Sequence, residues 1–418
     1  MKQIKTVGIF AVMHFLVDFI CAFTMFGWFV RSENGLWLML LYNFCAFALQ
    51  MPLGVVMDAI NNRGGRRTAV FAGVGAVLTA GGLLLAVLCT RIYGVADISL
   101  MAASATVLIL GVGNAMFHVG GGVGTMDVSG FADTPDRSLP ALGIFVAPGA
   151  VGLFIGTQLG NAGGLEIAIA AMVLMLGLGA LLLTLGEGQK AHGKLLFIGR
   201  KKPLAVNAQD NVTLSECVFK ACNVCGVTQP EYAPAASCLY RRTMDKSASM
   251  IKNGGLVFGG VCLFLVVVLR SFAGFTIRFP WNTTLTTGIV CVLALAAGKA
   301  AGGIAARRFG VKRTIGISLL LAALLYGCGS FWPAGILALF LFNMTMPVTL
   351  YMLARELPGR PGLAFGILTF ALFVGFLPVC MGVVGEMDFR LMGSLVSLIS
   401  FGLLYLGLYF HDRSGKLP

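Results

Sequence analysis

The sequence predicts an all-α polytopic membrane protein, with twelve transmembrane helices in two pseudo-symmetric six-helix bundles. Composition is the first reason. The 418 residues are 58% hydrophobic and 11% charged, with a mean hydropathy of +0.90, far from the balance of soluble domains. Second, the apolar residues fall into twelve runs of about 20, the length that crosses a bilayer. Third, one short pattern occurs twice, as Gly54, Asp58, Arg63, Gly65, Arg66, Arg67 and as Gly303, Arg307, Arg308, Gly310, Lys312, Arg313. Glycine lets two helices approach, and the cations hold a tight loop at the membrane surface. Matching loops in corresponding places imply a duplicated membrane fold, an architecture typical of transporters.

The elements follow in order. Span one, 7–29, is too long for a cleaved signal and carries His14 and Asp18. Span two, 36–57, holds Asn43 and Gln50 and ends in the first loop pattern. Span three, 68–89, is an unbroken apolar run. Span four, 98–120, contains Asn114 and His118, and Gly120, Gly121, Gly122 and Gly124 at its end read as a flexible hinge. Span five, 139–160, has Gly143, Pro148 and Gly152, and span six is 165–185. The second set is 254–274, 282–304, 314–331, 333–353, 362–383 and 390–410, with Arg270 in the first and Asn343 in the fourth.

Residues 1–185 and 254–418 thus form the two bundles, joined by a polar linker, 186–253. With both termini in the cytoplasm, all but Arg31, Arg91, Arg270, Arg278 and Arg390 of the 30 Lys and Arg lie on the inner side, as the positive-inside rule requires. Trp28, Trp37, Trp281 and Trp332 then sit at outer helix ends. This rule accounts for the net charge of +13, so no nucleic-acid partner is expected. The linker's ten Lys and Arg, from Lys190 to Lys252, face anionic headgroups. The expected location is the plasma (inner) membrane, and a monomer is expected.

The six-plus-six plan, long middle loop and duplicated loop pattern resemble the major facilitator superfamily (MFS). There the pattern reads G-x-x-x-D-R-x-G-R-R. Here Ala59 to Asn62 are inserted after Asp58, and Arg307 replaces the acid in the second copy. The resemblance implies that Asp58, with Arg63, Arg66 and Arg67 and their counterparts Arg307, Arg308, Lys312 and Arg313, latches the halves in the outward-open state. In span five, Gly143, Ala147, Pro148, Val151 and Gly152 resemble the G-x-x-x-G-P-x-x-G-G of MFS antiporters. Gly111, Gly113, Asn114, Phe117, His118 and Gly120 resemble the fosmidomycin-resistance branch.

Charge inside a bilayer is expensive and usually functional. His14 and Asp18 are four residues apart and share a helix face, and Asp18 lies near the midplane. The resemblance implies that helices one, four, seven and ten line the cavity, which would let His14, Asp18, Asn114 and His118 converge. A desolvated carboxylate beside an imidazole suits proton coupling. The alternative is a neutral pair that only holds helix packing. Asn43, Gln50 and Asn343 are expected chiefly to bond neighbouring helices. Arg270 is expected to snorkel to the outer headgroups, with an anionic substrate as its alternative role.

No nucleophile elbow or phosphate loop is present in the sequence, so the expected activity is not enzymatic. The expectation is proton-coupled transport of a small organic solute by alternating access, as antiport or efflux, with uptake as the alternative. Cofactors are not expected. One reading of another class remains: Cys217, Cys222, Cys225 and Cys238 crowd the linker, and four thiolates can bind zinc or an iron–sulfur cluster in a sensor or redox protein.

Overall fold

The computed structural model describes residues 2–61, 67–94, 98–196, 257–385 and 387–414. No strand occurs among them. Twelve long helices do: α1 Ile4–Phe29, α2 Gly35–Asn61, α3 Thr68–Ile92, α4 Leu100–Ser129, α5 Pro135–Ala162, α6 Leu165–Thr184, α7 Val257–Thr276, α8 Leu285–Phe309, α10 Trp332–Glu356, α11 Pro361–Cys380 and α12 Phe389–Phe410, with α9 at Val311–Gly327 between α8 and α10. Eleven are long and apolar enough to cross a membrane. The seventeen residues of α9 extend about 25 Å at the usual helical rise.

Two boundaries differ from the sequence reading. α4 continues nine residues beyond its expected end, and the run from Gly120 to Gly124 is buried helix rather than a hinge. The missing side chains are space for neighbours. A Cβ at Gly120 would collide with Ala72, one at Gly122 with the Phe365 ring, and one at Gly124 with the Phe10 ring. The helix beginning at Leu165 runs on to Leu196, so the first eleven residues assigned to the linker continue it. The four linker cysteines, Arg63 and Arg66 lie outside the described residues.

The first glycine of each copy, Gly54 and Gly303, marks a crossing between the first six helices and the last six. A Cβ on Gly54 of α2 would overlap the Gly362 carbonyl of α11. A Cβ on Gly303 of α8 would overlap the Leu139 carbonyl of α5. Helices two and eight correspond in the repeat, as do five and eleven, so both copies serve the same purpose. Only glycine permits backbones to meet this closely. On α5, Gly143 faces the backbone of Lys299 and Ala300 in α8, while Gly152 faces the Phe15 carbonyl of α1. The small residues around Pro148 therefore wedge α5 between one helix of each half.

Candidate functional site

His14, Asp18, Asn114 and His118 meet where α1, α4 and α5 cross. His14 Nε2 lies 2.9 Å from His118 Nε2 and 3.3 Å from an Asp18 carboxylate oxygen. His118 Nε2 is 3.5 Å from the other oxygen of Asp18, to which the Asn114 amide donates at 3.2 Å. Both rings and Asn114 are buried, and the Asp18 side chain keeps 20% of its exposure. Two i,i+4 relations build the site: His14 with Asp18 on α1, and Asn114 with His118 on α4.

The far nitrogen of each ring fixes its tautomer. His14 Nδ1 is 2.7 Å from the Phe145 carbonyl, and His118 Nδ1 is 2.9 Å from the Asn114 carbonyl. A carbonyl only accepts, so each Nδ1 carries a hydrogen and donates it. If both rings were neutral, two Nε2 lone pairs would then face each other at 2.9 Å beside a carboxylate. A bond at that separation needs a proton between the nitrogens. Gly149 on α5 closes the site, and a Cβ there would strike His14 Nε2 and Asp18.

The triad is also the one group of three His, Cys, Asp or Glu among the described residues with metal-ligand spacing. Its donor set, two imidazoles and a carboxylate whose distal nitrogens are fixed by carbonyls, is chemically capable of holding a divalent ion.

The last six helices carry two cations in their apolar stretches. Arg270 does not snorkel. It is 6% exposed, donates from Nη2 to the Thr345 hydroxyl and has its guanidinium 5.7 Å from the Phe342 ring centre. Thr345 sits where α10 is interrupted by a turn, and this opens the interior to an arginine that depth alone would assign to the surface. Lys299 on α8 lies within electrostatic reach of Asp18, His118 and Arg270. Sequence reasoning missed it by counting it with the adjoining loop. Its signal was a lysine inside an apolar run, five residues from the expected span end.

Asn43, Gln50 and Asn343 do not reach the triad through hydrogen bonds; their amides donate to carbonyls four residues earlier on their own helices. Arg67, Arg307, Arg308, Lys312 and Arg313 are exposed. Asp58 engages a helix end instead of these cations: its oxygens accept from the backbone N–H of Gly362 at 2.7 Å and of Leu363 at 2.8 Å. These are the first unpaired donors of α11, where an anion is favoured. A second bridge at the same end, also missed, runs from Arg355 to the Tyr351 hydroxyl at 3.0 Å and from that hydroxyl to Asp136. Tyr351 and Arg355 share one face of α10, and Asp136 begins α5. Both bridges tie the halves together at the membrane face that carries the chain termini.

The chain is similar in structure to a variant of the fucose:proton symporter FucP of E. coli, with 13% identity and a TM-score of 0.59 over 97% of this chain and 99% of that one. FucP in an outward conformation gives 12% and 0.57 over the same shares. The human organic anion transporter MFSD10 gives 17% and 0.55 over 96% of this chain and 99% of its own. No family model matches the sequence, and no curated protein matches it. At these identities the likeness shows the fold alone, the one that FucP, a Major Facilitator Superfamily transporter, adopts.

Proposed function

We propose that the protein is a secondary active transporter that moves a small organic solute by alternating access and couples it to protons through His14, Asp18 and His118. The observation that supports this is the pair of facing Nε2 atoms, which lie at hydrogen-bond distance beside a carboxylate. Two halves that share a fold and meet through glycine crossings can rock about a central site. In the state seen here the termini-bearing ends are joined through Asp58 and Tyr351, so access opens toward the opposite side. We assign the joined ends to the cytoplasm, in an inner or plasma membrane, and read the protein as a carrier and not an enzyme.

The coupling follows from electrostatics. With the proton present, α1 and α4 are drawn together by an imidazole–imidazolium bond beside a carboxylate. Without it, two lone pairs and an anion repel across the same gap in a medium of low dielectric. Proton release on one side thus favours a different approach of α1 to α4 and α5, and rebinding restores it. The resemblance of Gly143, Pro148 and Gly152 to the antiporter pattern favours antiport or efflux. Symport is the second reading, supported by the fold shared with a fucose:proton symporter.

Purified protein in liposomes loaded with a pH-sensitive dye tests the proposal. Adding solutes from a compound library is expected to move protons across the membrane for some of them, and Asp18→Asn is expected to abolish that movement. Solute flux without proton movement, or wild-type coupling in Asp18→Asn, overturns it.

A further inference from the structure

In the triad, two imidazoles and the Asn114 amide already surround the Asp18 carboxylate. Arg270 is buried, and its Nε and Nη1 have no hydrogen-bond partner. Among the described residues no carboxylate lies within ion-pair distance of it or of Lys299. Its contacts are the neutral Thr345 hydroxyl and the Phe342 ring. Asp18, the acid within reach of Lys299, is already engaged by two histidines and an amide. The interior therefore holds a guanidinium on α7 that no acid balances, with Lys299 of α8 between it and the cluster on α1 and α4. Isolated charge in such a medium is strongly unfavourable. A guanidinium with idle donors beside an ammonium is suited to an incoming oxyanion.

We propose that the transported solute is an anion, bearing a carboxylate or phosphate group, and that Arg270 and Lys299 hold that group. This rests on the transport reading above. The cations sit on the last six helices and the triad on the first six, so an anion bound between them bridges the two halves. Its charge completes the balance that the polypeptide leaves open. Arg270 anchors it through its two free nitrogens, and Lys299 adds a charge shared between the solute and Asp18. A neutral sugar would leave the guanidinium unbalanced, and a cation would add to the positive charge.

Thermal stability of the full purified chain tests this at constant ionic strength, with millimolar sodium benzoate, sodium phosphate, glucose or tetraethylammonium chloride. Benzoate or phosphate is expected to raise Tm, and glucose and tetraethylammonium to leave it unchanged. Arg270→Gln and Lys299→Gln are expected to lose the response, with anion affinity falling roughly 30-fold or more for the arginine. Without ligand, Arg270→Gln is expected to melt no lower than wild type, since it removes an unbalanced charge. That separates ligand binding from a purely structural arginine, whose loss lowers Tm. The class is overturned by a response to glucose or tetraethylammonium with both anions silent, by silence from all four, or by an anion response that survives Arg270→Gln. Those outcomes leave proton-coupled transport standing; that reading fails separately, in the liposome assay.

Discussion

The carboxylate of Asp58 and the backbone amide of Gly362 are 304 residues apart in the chain and 2.7 Å apart in space. One acid thus caps a helix of the opposite half, and Arg360 lies within its electrostatic reach. On the alternating-access reading, opening this end breaks the bond. Asp58→Asn keeps an acceptor but loses the charge, which costs about 1–2 kcal/mol of the closed state and shifts the closed-to-open ratio roughly 5- to 30-fold. Spin labels on cysteines replacing Arg67 and Arg307, both exposed at this end, are expected to show longer separations in the variant. An unchanged distance distribution refutes the latch.

The glycine crossing beneath that cap gives an independent test. Gly54→Ala places a methyl group against the Gly362 carbonyl, backbone against backbone, where no side chain can move aside. Overpacking of this kind costs about 1–3 kcal/mol, so the variant is expected to open the same end as Asp58→Asn does. Gly402→Ala meets nothing within 4 Å and serves as the control, with distances and Tm close to wild type. Equal behaviour of the two alanine variants contradicts the close-packing account.

The second bridge runs through a single side-chain hydroxyl. Tyr351→Phe removes the hydroxyl that joins Arg355 to Asp136 while keeping the ring against Phe131. A typical intramolecular hydrogen bond nets about 0.5–1.5 kcal/mol. The Asp136 carboxylate stays near the helix start and can rehydrate, which reduces the loss. The expected result is a shift in the same direction as Asp58→Asn, and smaller. A larger shift in Tyr351→Phe would make α5–α10, and not α2–α11, the principal closure.

Much of this was legible in the sequence, for identifiable reasons. Spans could be read because length and apolarity are linear properties. His14 with Asp18 and Asn114 with His118 could be paired because helical periodicity puts each pair on one face. Rotation about the helix axis is not linear information. Arg270 was therefore placed at the right depth and given the wrong direction. Lys299 was lost because a count of loop cations absorbs any lysine near a span end. The glycines of α4 looked like a hinge because glycine is flexible in water. In lipid, every backbone group must bond within the segment, so the same run stays helical and receives Ala72, Phe365 and Phe10.

Protonation gives a prediction with a defined window. Asp388, in the loop before α12, is held below its ordinary 3.8 by hydrogen bonds from Arg390. A depressed carboxyl contributes stability that is present above its ordinary value and lost as pH falls through the lowered one. Between about pH 5 and pH 8 that contribution is constant, and an exposed pair is worth little in any case. Arg390→Ala is thus expected to leave the pH profile of Tm in that window parallel to wild type. A profile altered by Arg390→Ala would place pH sensing outside the bilayer.

Gly149 offers the sharpest separation of packing from coupling. It follows Pro148, which removes one N–H from that turn of α5, close to the Phe145 carbonyl that orients His14. A Cβ at this position meets the triad itself, not a neighbouring backbone: His14 Nε2 and Asp18 stand directly in its way. His14 must then tilt away from His118, breaking the nitrogen–nitrogen bond at 2.9 Å while the helices keep their places. Gly149→Ala is accordingly expected to reduce solute-driven proton movement about tenfold or more with little change in Tm, as a displacement of about 1 Å does in other finely positioned sites. Normal coupling in this variant would mean that the two imidazoles need not touch, and the proton-sharing triad would have to be abandoned.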